Sequence, residues 1–264
     1  MIYTAYAPIY DAIGQGAFAE VLVARLLAAL PEPPRRALDL ACGAGAAALV
    51  LAQAGVEVVG VDRSPEMLAI ARAKARDRRL PVTFVQADIR RLPIDDDSLA
   101  LPQNARRSPV VGRPSSFDLI TCLYDSLNYL TGDDDLGLAL AGAARLLRPG
   151  GRIVFDLNTQ HEFALWDESD QLIHDDGGIL VYNRLSYAPA ERLARGSIVW
   201  FVHEGEGERW WRGEELHTER AWSDAEVSEA LAGAGLRLIA RHTPLWQPAP
   251  ADAPRVVYEA ARPE

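Results

Sequence analysis

Short β-branched or apolar runs that alternate with helix-patterned segments predict an α/β fold: a mainly parallel sheet with helices on both faces. Five such runs stand before residue 160: RALDLAC (36–42), VEVVGVD (56–62), VTFVQAD (82–88), FDLITCL (117–123) and GRIVFDL (151–157). Between them lie GAAALVLAQAG (45–55), SPEMLAIARAKARD (64–77) and DDLGLALAGAARLLRPG (134–150), with the apolar spacing of helices.

The elements follow in order. FAEVLVARLLAAL (18–30) predicts a helix before the first strand, and Tyr3, Tyr6 and Tyr10 precede it. The helix at 64–77 opens with Ser64 as N-cap, Pro65 at the first helical position and Glu66 in the first turn. The helix at 134–150 stops at Arg-Pro-Gly-Gly. Residues 93–116, rich in Pro, Ser, Asp and Arg, predict a long polar loop. From 178 to 222, three β-like runs separated by APAER and EGEGE predict an antiparallel meander. SDAEVSEALAGAGLRLIARH then gives an N-capped helix, a turn and a strand, and PRVVYEAARP a last strand (255–260), expected to pair antiparallel at the sheet edge.

Composition fits one globular domain over residues 1–264, with 49% apolar and 24% charged residues. No stretch reaches the roughly 20 apolar residues of a spanning helix, and MIYTAYAPIYD lacks the basic start of a signal peptide, so a cytoplasmic protein is expected. Cys42 and Cys122 sit in apolar runs and read as reduced, structural thiols. The net charge of -10 repels a phosphate backbone. The one basic cluster, Arg72 to Arg79, places Arg72, Arg76 and Arg79 at helical spacing, as a solvated helix face does.

The first strand runs into Gly43 and Gly45, and GAGAAA (43–48) satisfies G-x-G-x-x-A. Small residues at such a turn let a ligand approach the backbone, and the following helix offers free N–H groups to an anion. With Asp62 ending the second strand, this alone is a dinucleotide fingerprint. Asp39 shifts the balance: a carboxylate inside the first strand is costly unless something polar or cationic needs it, and a dinucleotide does not. Asp88 ends the third strand, where a carboxylate can accept from an adenine amine.

Asp39, Gly43, Gly45, Asp62 and Asp88 on three successive strands resemble the class I S-adenosylmethionine-dependent methyltransferases. The resemblance extends through LDLACGAG, VVGVDRSPEML, ADIRRLP, FDLITCLYDSLNYL and LLRPGGRIVFDL, nearly the whole chain outside the loop and the meander. It implies a Rossmann-like, mainly parallel seven-stranded sheet whose last strand is antiparallel, with the antiparallel meander as a lid inserted after strand five. It implies S-adenosylmethionine as cofactor and S-adenosylhomocysteine as product. Asp39 and the backbone from Ala41 to Gly45 would hold the methionyl end, Asp62 the ribose hydroxyls, and Arg63 would lie beside the adenine. Asp88 and the backbone at Ile89 would hold the adenine amine; Cys122, Leu123 and Tyr124 would line the sulfonium end, and Tyr10 would cover the cofactor.

CLYDSLNYL lacks the prolines of nucleic-acid amino-methyltransferases and is more similar to small-molecule methyltransferases, including sugar-amine and glycine N-methylating ones. A small polar acceptor methylated on N or O is the resulting expectation, with no nucleic acid or membrane partner and a monomer or homodimer. Tyr124, Asp125, Asn128 and Tyr129 follow strand four at the carboxyl edge and are the acceptor-facing candidates. His161, past strand five, is the best-placed candidate base; His203 and His217 belong to the meander, as do Trp200, Trp210 and Trp211, candidates for an aromatic wall. Asp125, Asp156 and Asn158 partly resemble the metal triad of catechol-type O-methyltransferases, but Leu157 interrupts that family's adjacent Asp-Asn pair, and no metal is expected. Two other functions compete: a non-catalytic cofactor-binding protein of the same fold, and a nicotinamide-dependent oxidoreductase. The latter needs hydride-site residues such as Tyr-x-x-x-Lys, and Lys74 is the only lysine.

Overall fold

The computed structural model describes residues 2–92, 117–166, 169–205 and 207–264, so the polar loop expected at 93–116 lies outside the described residues. Two helices, α1 (Ala7–Ala12) and α2 (Ala17–Ala29), lead into β1 (Arg36–Leu40), α3 (Ala46–Gln53), β2 (Glu57–Asp62), α4 (Pro65–Asp77) and β3 (Val82–Gln86). After the undescribed segment come β4 (Phe117–Cys122), α5 (Asp135–Leu146), β5 (Leu147–Asn158) and α6 (Gln160–Phe163). Four strands follow, β6 (Ser169–Asp175), β7 (Ile179–Ala188), β8 (Leu193–His203) and β9 (Trp210–Arg220), and then α7 (Asp224–Gly233), β10 (Arg237–His242) and β11 (Arg255–Ala261).

Seven strands form one sheet in the order β10-β11-β5-β4-β1-β2-β3, in which β11 runs antiparallel to both of its neighbours. The last strand is therefore antiparallel as expected, but it is not the edge. Its VVYEAA residues are buried on both faces, whereas β10 exposes Arg237, Leu238 and Ile239 and forms the border. Side-chain alternation divides the strands between two cores. Leu38, Leu40, Ile153, Phe155 and Leu157 pack with α5 and α7; Ala37, Val58 and Val154 pack with α2, α3 and α4.

The meander is a separate antiparallel sheet with one strand more than the three runs suggested. Its first strand, β6, lies before residue 178, and its polar, half-exposed SDQLIHD carries no continuous apolar run. The inner face of this sheet packs on the N-terminal segment: Trp200 and Val181 are buried against Tyr6 and Ile9, the Tyr6 and Trp200 rings 5.1 Å apart. Trp200 also lies beneath Gly213, where an added Cβ would come within 2.2 Å of the indole. Among the described residues, no helix is long and apolar enough to cross a membrane.

Candidate active site

Strand β1 ends in a turn with consecutive demands on the backbone: Ala41, Gly43 and Gly45 all have left-handed φ (51°, 54° and 81°). Asp62, at the end of the neighbouring strand, holds this turn by its carboxylate, accepting from Gly43 N and Ser64 N, both at 2.8 Å. Burial raises the Asp62 carboxyl above its ordinary range. Gly45 does a packing job: a Cβ there would press on Ala71 at 3.1 Å and Phe84 at 3.2 Å, so its lack of side chain lets α4 and β3 close behind the turn.

Asp39 is buried at 2% exposure with one oxygen accepting from Thr121 Oγ1 at 2.7 Å and the other, Oδ2, unpartnered. Burial raises its carboxyl to about 7 against the opposing pull of the Thr121 hydroxyl and of the Ala48 backbone N–H. At the end of β3, Asp88 caps the 3-10 turn Ile89–Arg91 and accepts the Arg90 guanidinium at 2.6 Å, which holds its carboxyl below the usual range. Arg90 reaches on to Asp135 of α5 at 3.2 Å.

Strand β4 also ends in strained backbone, with Tyr124 and Asp125 at φ 64° and 50°. Asp156, wholly buried on β5, accepts both of their N–H groups, at 2.6 and 3.1 Å. Arg255 of β11 bridges Asp156 at 2.6 Å and Asp125 at 2.8 Å, and its guanidinium lies 4.6 Å from the Phe18 ring centre. The carboxylates of the partial metal triad are thus paired with an arginine.

These turns border one cleft at the carboxyl ends of β1, β2 and β4. Tyr10, Asp39, Ala41, Gly43, Asp62, Arg63, Asp88, Ile89, Leu123 and Tyr124 line it. Gly45, Cys122, Asp125, Asn128 and His161 do not. Cys122 is wholly buried in the core beside α5, and burial raises its thiol well above the ordinary value. Asn128 is wholly buried and spends its amide on main chain: Nδ2 donates to Asn158 O and Arg220 O, and Oδ1 accepts from Asn158 N. It ties the carboxyl end of β5 to the end of β9. His161 lies exposed on α6 beside a smaller cavity shared with Arg192, Asp224 and Arg241. Trp210 and Trp211 are 45% exposed and stay outside the cleft.

Other residues complete the wall. Tyr3, Met67, Arg90 and Tyr129 line it, and Tyr3 Oη lies 3.1 Å from Tyr129 Oη. Glu215 of β9 fixes the N-terminal segment by accepting from the backbone N–H of Tyr3 at 2.6 Å and of Ala5 and Tyr6 at 3.0 Å. Arg90 stood in the ADIRRLP segment but carries no spacing signal toward Asp88, and Glu215 lies 212 positions from Tyr3.

The YqeM protein of Bacillus subtilis (strain 168), a methyltransferase by name, is 30% identical over 240 residues, covering 90% of this chain and 87% of its own. A family model described as a methyltransferase domain also matches residues 37–103. The chain belongs to the class I S-adenosylmethionine-dependent methyltransferases. In fold, this methyltransferase is similar to an S-adenosylmethionine-dependent methyltransferase from Clostridium acetobutylicum ATCC 824 (TM-score 0.79, 24% identity, all of both chains). It is also similar to an amino pentose methyltransferase from Micromonospora echinaspora with S-adenosylmethionine bound (TM-score 0.67, 23% identity, 99% and 98% of the two chains). Membership removes the nicotinamide reading; Lys74, the lysine on which it would have drawn, pairs with Asp11 at 2.7 Å.

The methyltransferase's own residues fit its cofactor, S-adenosylmethionine. The unpartnered Oδ2 of Asp39 is a buried acceptor that an ammonium group satisfies. The side-chain-free backbone at Gly43, where a Cβ would meet Met67 Cε at 3.1 Å, leaves room for close approach.

Proposed function

We propose that the cleft transfers a methyl group to nitrogen or oxygen of a small polar metabolite by in-line displacement. The observation that carries this reading is the buried, unpartnered carboxylate oxygen of Asp39, a residue of the cleft wall, with the tyrosines Tyr3, Tyr10, Tyr124 and Tyr129 bordering the same space. When bound, S-adenosylmethionine supplies a methyl group on a positively charged sulfur. Asp39 would hold its ammonium group and the backbone of Ala41 to Gly43 the rest of the methionyl end. Asp62 and Asp88 would use the lone pairs left by their present donors for the ribose hydroxyls and the adenine amine. Gly45 supports this end from behind.

The tyrosine end would receive the acceptor, and the sheet from β6 to β9 would act as its lid. Alignment and exclusion of water are what such a displacement chiefly needs from a protein. Tyr124 holds Gln15 through its hydroxyl at 2.6 Å and stacks on Phe18, which keeps that wall fixed. The net charge of -10 favours a small acceptor over nucleic acid, and the buried free thiols of Cys42 and Cys122 suit a cytoplasmic setting. The amino pentose acceptor of the Micromonospora relative favours nitrogen within this reading.

Calorimetric titration with S-adenosylmethionine, S-adenosylhomocysteine and NADH, followed by labelled-methyl transfer to a panel of small amines and hydroxy compounds, tests the reading. Micromolar binding of the first two with label on a panel member supports it. Cofactor binding with no transfer to the panel or to a metabolite extract would favour the non-catalytic alternative.

A further inference from the structure

A chain of hydroxyls runs from the cleft into the buried face of β9. Tyr3 and Tyr129 both line the cleft, their hydroxyl oxygens 3.1 Å apart, and Tyr129 Oη lies 2.9 Å from Nδ1 of His217. His217 is 3% exposed, and its other nitrogen, Nε2, has no hydrogen-bond partner but lies 3.6 Å from Glu215 Oε2. Residues 215, 217 and 219 share the inner face of β9 by strand alternation. The groups that face His217 are therefore Glu215 and Glu219 from its own strand, Tyr129 from the 3-10 turn Ser126–Tyr129, and Tyr3 and Tyr6 from the N-terminal segment, whose rings lie 5.0 and 6.4 Å away.

We infer that Tyr3, Tyr129 and His217 form a proton relay that takes the proton released by the methyl acceptor. The inference rests on the methyl-transfer reading above. As the acceptor's lone pair forms the new bond to the methyl carbon, the carbon–sulfur bond breaks with its electron pair left on sulfur, and the acceptor must give up one proton. Tyr3 Oη accepts that proton while passing its own to Tyr129 Oη, and Tyr129 passes its proton to Nδ1 of His217. The imidazolium formed is balanced by the Glu215 carboxylate and later releases the proton to solvent.

Direction along the chain follows from hydrogen-bond capacity. For Tyr129 to donate, Nδ1 must be bare and the hydrogen must sit on Nε2, the nitrogen nearest Glu215. Burial works to raise the Glu215 carboxyl, but the nearby His217 imidazole and the hydrogen bonds from the Tyr6 and Tyr3 backbone outweigh it and keep it below the ordinary range. Burial raises both tyrosine hydroxyls well above their usual value, so they pass a proton rather than store a charge.

The test uses the full chain labelled with ¹⁵N-histidine and saturated with S-adenosylhomocysteine, the His217 signal being assigned by loss in H217Q. The expected spectrum shows the Nε2–H tautomer, with the Nδ1 resonance moving in Y129F. A proton resident on Nδ1 at neutral pH overturns the relay whatever the activity. On whichever panel compound wild type methylates, H217Q and Y129F should lower kcat by about 10² and remove the acid limb of the pH–rate profile, with affinity for S-adenosylhomocysteine unchanged within about twofold. Full wild-type kcat and profile in H217Q also overturn it. Wild type that methylates nothing counts against the acceptor reading instead, and the tautomer then decides the relay alone.

Discussion

The cleft has two ends built in different ways. The glycine-turn end is assembled within the parallel sheet: Asp62 of β2 accepts from the turn after β1, and Thr121 of β4 reaches Asp39 between them. The tyrosine end is assembled across the whole chain, with Glu215 receiving the backbone of residues 3, 5 and 6 and His217 receiving Tyr129. The first end has carboxylates set against main chain that the sheet already holds rigid. The second depends on the N-terminal segment and β9 finding each other, so it is the end whose geometry a single side chain can release.

Releasing the strained turn after β4 should have the largest effect. Asp156→Ala removes the acceptor for two strained N–H groups and leaves Arg255 with Asp125 alone. About 3 kcal/mol of stability should be lost, read by urea unfolding, together with methyl transfer. A loss below about 1 kcal/mol would show that the turn at Tyr124 holds itself. Within the glycine end, Asp62→Ala frees the Gly43 and Ser64 N–H groups and should weaken S-adenosylhomocysteine binding by about 1 to 3 kcal/mol in calorimetry. An unaltered dissociation constant would remove Asp62 from the cofactor site.

Asp39 separates stability from binding. Its carboxyl is raised to about 7 in the folded chain against 3.8 as the reference value, so the folded state holds its proton longer than the unfolded one. Its contribution to stability is therefore most favourable below about pH 4 and is lost progressively as pH rises toward 7. Asp39→Asn should raise Tm at pH 8, flatten the dependence between pH 4 and 7, and still weaken S-adenosylmethionine binding. Tighter binding in that variant would mean that Asp39 does not meet the ammonium group. The smallest effect is expected at the tyrosine end, where Glu215→Gln keeps one acceptor oxygen but loses the charge. About 1 kcal/mol of stability should go, with faster amide exchange confined to residues 3–6. Uniform exchange across the chain would show that the segment is held by its aromatic packing.

Much of the glycine end was legible because its signals are local. Asp39, Gly43, Asp62 and Asp88 sit at strand ends whose periodicity can be read, and parallel strands bring their carboxyl ends to one edge. The side-chain partners were not legible: nothing in ADIRRLP tells that Arg90 forks onto Asp88, or that Asn128 spends its amide on the backbone of Asn158 and Arg220. Strand β6 escaped for a related reason, since a polar edge strand is defined by its pairing with β7 and not by its own residues.

By itself the amino-acid sequence determined the alternating α/β order, the glycine turn and the family, because strand and helix periodicity and short motifs depend on neighbours a few residues apart. Only the tertiary structure decided that β11 lies inside the sheet and β10 at its edge, that His161 stands outside the cleft, and that Tyr3, Tyr129 and His217 meet. Those facts rest on packing between segments up to 214 positions apart, where geometry is set by the folded whole and leaves no trace in local spacing.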